Sequence, residues 1–129
     1  MTRDGVIADT SVLVSFFRGK REYVEEVTRL LQENRLVITG LVIAELLQGM
    51  KGIKEEEKIS DLLTGISTRE LTTDLWIKAG KMSLSLRRKG INLPLTDIAI
   101  ATLAIEYQFS LFTLDKHFDQ IPGVKIYKV

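Results

Sequence analysis

The sequence contains no cysteine and a single histidine. The first absence removes disulfides, thiol nucleophiles and thiolate metal sites together, and it fits a reducing compartment. Long apolar runs are missing too. No segment approaches the ~20 apolar residues that a membrane helix needs, and the N-terminal stretch MTRDGVIADTSV has no apolar run behind a basic start, so we expect a cytoplasmic protein without a membrane anchor. Net charge is nearly absent: 18 basic side chains face 17 acidic ones, for a formal +1. Any binding of nucleic acid must therefore come from a local patch and not from bulk charge. Repeats, low-complexity tracts and flexible linkers are also lacking. What remains, 129 residues with 45% hydrophobic and 27% charged content, is enough for one domain, residues 1–129, around one core.

Short β-like runs alternate with longer helical patterns, the sequence form of an α/β fold with a mainly parallel central sheet flanked by helices. Val6 to Ala8 reads as the first strand. Residues 21–33 place Tyr23, Val27, Leu30 and Leu31 on one face of a helix, and RLVIT at 35–39 follows as the second strand. Helices are expected over 40–50, 54–65 and 74–90, the first capped by Thr39 and the last closed by Gly90. TRELT at 68–72 is a weak strand. Thr96 is the expected cap of a helix over 97–108, and SLFT at 110–113 and KIYKV at 125–129 complete the strands around a Pro-Gly turn.

Four carboxylates interrupt this apolar pattern: Asp9 after the first strand, Glu45 within LVIAELL, Asp97 opening DIAIATLAI, and Asp115 just after SLFT. Each has a structural explanation alone. Asp9 can cap the helix that follows its strand, Asp97 suits the positive end of a helix, Glu45 can lie on a solvated helix edge, and Asp115 can start a turn. Together they ask for more. In a parallel sheet the C-terminal ends of the strands form one edge where ligand sites occur, and all four acids can face it. Carboxylates crowded in one crevice repel each other unless a cation sits among them. Oxygen ligands without Cys select a hard ion, Mg²⁺ with Mn²⁺ as the alternative, over Zn²⁺. Such an ion is completed by substrate phosphates, which points to phosphoryl chemistry by a metal-activated water.

IADTSVLVSFF, the Glu in LVIAELLQGM, and LPLTDIAIATLAIEYQFSLFTLDKHFDQIPGVKI, in that order, resemble the PIN domains of VapC toxins, the ribonuclease halves of bacterial and archaeal toxin–antitoxin pairs. The resemblance spans nearly the whole chain and includes the family's full acidic set. It implies metal-site roles for Asp9, Glu45, Asp97 and Asp115, with the hydroxyls of Thr10, Ser11 and Thr113 orienting carboxylates or waters. It further implies a homodimer, a VapB-like antitoxin encoded beside the toxin, and cleavage of structured or translated RNA.

Other residues invite a function but have plainer readings. His117 reads as a turn residue facing solvent or the pocket rim and not as a general base, since a metal already supplies the activated water. Arg18, Lys20 and Arg21, and separately Arg87, Arg88 and Lys89, are candidate phosphate contacts or solvated helix ends. KEEEK at 54–58 reads as a solvated face, and Trp76 and Met82 as core or dimer contacts. Two competing functions remain. A PIN-like module that binds RNA or protein without cleaving should have lost an acid, yet all four are present. An aspartyl-phosphate phosphatase should carry a second Asp two positions after the first, where this chain has Ser11.

Overall fold

Val6, Ile7 and Ala8 show no polar side chain to either face, the pattern of a strand covered on both sides. They are fully buried at the centre of the sheet. In a computed structural model of the chain, which describes residues 4–129, the order of elements is β1 (Val6–Ala8), α1 (Thr10–Phe17), α2 (Arg21–Gln32), β2 (Leu36–Ile38), α3 (Gly40–Gln48), α4 (Ile53–Leu63), β3 (Ser67–Thr68), α5 (Thr73–Arg88), α6 (Leu95–Glu106) and β4 (Ser110–Phe112), followed by a short 3-10 helix, Lys116–Gln120. Residues 1–3, the start of the stretch expected to carry no leader, lie outside the described residues. No described helix is long and apolar enough to cross a membrane.

The four strands form one sheet in the order β3-β2-β1-β4, every pair parallel. Ile7 pairs with Val37 on one side and Leu111 on the other. The expected α/β fold with a parallel sheet is therefore the observed one. Because all strands point the same way, the residues that follow them, Asp9, Thr39, Arg69 and Thr113, emerge along one edge. Helices enclose the sheet. α6 is buried from Ile98 through Ala104 without a polar stripe, as suits a helix covered all round, and α5 packs along it through Leu75, Ala79 and Leu86. Gly90, at φ +82°, takes the left-handed conformation just beyond α5 that a side chain would resist.

Three local expectations differ from the structure. The third strand lies at Ser67–Thr68, one step before TRELT, because Glu70 is used elsewhere: its carboxylate accepts the Gly40 N–H at 2.6 Å and so caps α3. A Cβ at Gly40 would come within 2.8 Å of that carboxylate, so a larger residue there would push the Glu70 side chain off the cap. Thr96 lies inside α6 and caps nothing. Pro94 occupies the cap position, and its carbonyl accepts the N–H groups of Asp97 and Ile98, each at 3.1 Å. KIYKV makes one parallel bridge, Leu111 to Ile126, in place of a strand. β4 is only three residues long, so it offers this segment a short partner, with Leu111 N–H to Lys125 O and Tyr127 N–H to Leu111 O, both 2.8 Å.

Candidate active site

Asp9 is the residue at which β1 stops and α1 starts. Its backbone is extended, its N–H reaches Phe112 O at 3.1 Å, and its side chain caps α1 by accepting the Val12 N–H at Oδ1, 3.3 Å away. The cap reading is thus correct as far as it goes. A cap is usually wet, however, and Asp9 is only 4% exposed. Two hydroxyls also bond to its side chain. Ser11 Oγ donates to Oδ1 at 2.5 Å and itself accepts the Leu114 N–H at 3.0 Å. Thr113 Oγ1 donates to Oδ2 and accepts the Asp115 N–H at 3.0 Å. Two hydroxyls therefore stitch the exit of β4 to the carboxylate that ends β1.

These donors do not cancel the effect of burial. Desolvation pushes the Asp9 carboxyl above its ordinary pKa, the bonds from Ser11, Thr113 and Val12 pull it part of the way back, and the charge of nearby Asp115 raises it again. An ionised Asp9 is thus short of positive charge, although its hydrogen bonds are made.

The other acids are held separately. Glu45, exposed on α3, accepts a 2.8 Å bond from Thr10 Oγ1, which ties it to the residue beside Asp9. Asp115 is exposed and reaches Asp9 through its charge and through the shared Thr113 hydroxyl. Asp97, in the first turn of α6, has its Oδ2 at 2.8 Å from His117 Nε2. His117 is therefore a partner of a candidate site acid and not simply a residue of the rim. Its place two residues after Asp115, as the chain's one histidine, was the only sequence signal for this contact. Among the described residues no three His, Asp or Glu side chains gather closely enough to cage an ion. The crowding expected of four carboxylates is relieved in the free chain, because Glu45 turns to Thr10, Asp97 to His117 and Asp9 to its hydroxyls.

The basic residues are placed differently from one another. Arg18 joins Lys51 and Lys58 around a cavity of about 300 Å³ that Glu45, Val14 and Phe17 also line. Arg21 is paired with Glu25 at 3.0 Å in full solvent, and Lys20 is exposed. Arg87, Arg88 and Lys89 are exposed at the end of α5, from which the chain leads directly to the start of α6 and Asp97. Met82 packs against the core, whereas Trp76 is 43% exposed.

Residues 6–124 match the PIN domain family, in keeping with the parallel sheet and its flanking helices. The chain is 30% identical over 135 residues to Ribonuclease VapC of Rickettsia bellii (strain RML369-C), spanning 97% of this chain and 96% of that protein. It is 28% identical over 125 residues to Ribonuclease VapC1 of Methanocaldococcus jannaschii, spanning 95% and 86%. Its fold superposes on a chain of DNA-bound VapBC from Salmonella typhimurium with a TM-score of 0.84 at 22% identity, covering 97% of this chain and 98% of that one. The chain belongs to the PIN domain family, among its VapC ribonucleases.

Proposed function

We propose that the chain is the toxin of a VapBC-type pair, a metal-dependent endoribonuclease whose site is the edge that carries Asp9, Glu45, Asp97 and Asp115. The observation that carries the reading is Asp9: a carboxylate 4% exposed, met by hydroxyl and amide donors and with its pKa still pushed up by burial, suits a ligand to a cation. The donors nearby are all oxygens, which suits Mg²⁺ or Mn²⁺. Among the described residues no three of these side chains already converge, so the exposed Glu45 and Asp115 would have to move toward Asp9 to share an ion. Asp9, Glu45, Asp97 and Asp115 would hold it. When bound, such an ion lowers the pKa of a coordinated water and offsets charge on the phosphate.

The chain's own residues orient and position. Ser11 and Thr113 fix both oxygens of Asp9, so this carboxylate cannot rotate away. Thr10 aims Glu45 along the same edge. Arg87, Arg88 and Lys89 supply exposed cations toward which a phosphate backbone can be drawn. No protein nucleophile forms a covalent intermediate. Ser11 has its hydroxyl committed between Asp9 Oδ1 and the Leu114 N–H, and the phosphatase reading lacks its second Asp at that position.

Trp76, Ile77 and Leu84 recur at helical spacing and are exposed on α5, an apolar face suited to a second copy in a homodimer. The acidic edge suits a VapB-like antitoxin that inserts an Arg fork toward the carboxylates. The reading rests on the family for both partners and for action in the cytoplasm. The test is end analysis of cleaved RNA. Attack by water leaves no 2′,3′-cyclic phosphate, and cyclic ends formed with the attack of the substrate's own 2′-hydroxyl would overturn the mechanism.

A further inference from the structure

His117 links the first turn of α6, which carries Asp97, to the segment after β4 that carries Asp115. The 3-10 helix that carries it is anchored by Phe118, which is fully buried and over whose ring the imidazole lies at 5.0 Å with an interplanar angle of 27°. Gln120 Nε2 donates to the His117 carbonyl at 3.4 Å. The ring is held from below, and its Nε2 reaches across to Asp97 Oδ2. An ionised carboxylate has no proton to give, so Nε2 carries the hydrogen and Nδ1 does not need one. Asp97 Oδ1 has no hydrogen-bond partner among the described residues. Asp115 lies two residues from His117 on the same short segment, so the contact also limits how far the first turn of α6 can drift from the turn that carries Asp115.

We propose that His117 is a positioning residue: by donating Nε2–H to Asp97 Oδ2 it fixes that carboxylate with Oδ1 free for a divalent cation, and it ties Asp97 to the Asp115 segment before the cation arrives. The proposal rests on the assignment of Asp97 to the metal-holding set. It assigns no proton transfer to the imidazole. The ring acts as a fixed donor, in the way that donors behind metal ligands commonly do, where removal weakens metal affinity by about 10–100-fold.

Binding of Mn²⁺ alone, without RNA, tests it by calorimetry on the parent, His117→Gln, His117→Ala and Asp97→Asn, with a thermal melt of each in chelator. The Gln amide nitrogen can stand near the position of Nε2. His117→Ala should bind Mn²⁺ about 10-fold more weakly or worse. His117→Gln should recover most of that loss, and RNA cleavage by the Ala variant should need correspondingly more metal while approaching the parental kcat at saturation. A purely structural histidine would give Gln and Ala the same Mn²⁺ affinity, and that result overturns the proposal. Parental affinity in His117→Ala alongside a large loss in Asp97→Asn overturns it while leaving the site assignment standing. Parental affinity in Asp97→Asn removes the assignment of Asp97 and the proposal together.

Discussion

Thr113→Val keeps the shape of the side chain and removes one hydroxyl, yet it should be costly because of where that hydroxyl sits. The hydroxyl donates to Oδ2 of a buried carboxylate and accepts the Asp115 N–H at 3.0 Å. A hydrogen bond to an ionised buried group is worth about 1.5–3 kcal/mol. In a domain of this length each kcal/mol moves the melting temperature by roughly 3–5 °C, so a fall of roughly 5–15 °C at pH 7 is expected in chelator. The pH dependence identifies the cause. Burial raises the folded pKa of Asp9, Thr113 opposes that rise, and removing Thr113 raises it further. The folded state then binds its proton even more readily, so the extra cost is complete above the raised folded pKa and absent below the unfolded value of ~3.9. At pH 3 only a neutral bond, about 0.5–1.5 kcal/mol, is left to lose. The same smaller loss should appear at pH 7 when Thr113→Val is made in an Asp9→Asn background. Urea melts at both pH values on the four proteins of this cycle measure it. An equal loss at pH 3 and pH 7, and in both backgrounds, would refute the coupling of Thr113 to the Asp9 charge.

Three further outcomes follow from the same geometry. Asp9→Asn in chelator should be more stable than the parent at pH 7, by about 1.4 kcal/mol for each pH unit by which the fold raises the Asp9 pKa, with the advantage fading as pH falls toward ~3.9; added Mg²⁺ should then stabilise the parent more than the variant. A variant that melts below the parent in chelator at pH 7 would make Asp9 chiefly a cap. Glu45→Gln, at an exposed position with one hydrogen bond, should shift stability by no more than about 0.5 kcal/mol but lower RNA cleavage by about 10-fold or more, as a melt and a turnover assay on one preparation will show. Replacing Arg87 and Arg88 with Gln should weaken binding of all RNA sequences alike and flatten the salt dependence by about 0.7–0.9 per charge removed, whereas Arg21→Gln, already paired with Glu25, should do less in the same filter-binding titration.

The elements that sequence could place are those whose signal is local. Val6–Ala8 is apolar on both faces and had to be a central strand. The helix over 21–33 carried its stripe through Val27 and Leu30, both fully buried in α2. What escaped was decided by residues far apart in the chain. Glu70 left the strand pattern because the Gly40 amide, thirty positions earlier, needed an acceptor. Thr96 looked like a cap until Pro94, with its fixed φ, began the helix two residues early. The candidate site divides in the same way. The four acids were visible as polar intrusions, and Thr10, Ser11 and Thr113 as hydroxyls beside them. That Ser11 and Thr113 both close on Asp9, while Asp97 turns to His117, depends on β4 lying beside β1 and on a 3-10 helix with no periodic signature of its own.

The most direct test of the central claim, that this acidic edge is a metal-dependent ribonuclease site, is a Mg²⁺ titration of RNA cleavage by the parent and by Asp9→Asn from the same purification. The parent should be silent in excess chelator and regain full activity as Mg²⁺ is restored, while Asp9→Asn, folded and at least as stable, should stay silent at every concentration. Undiminished cleavage by the parent in chelator, or parental rates from Asp9→Asn, would contradict the account.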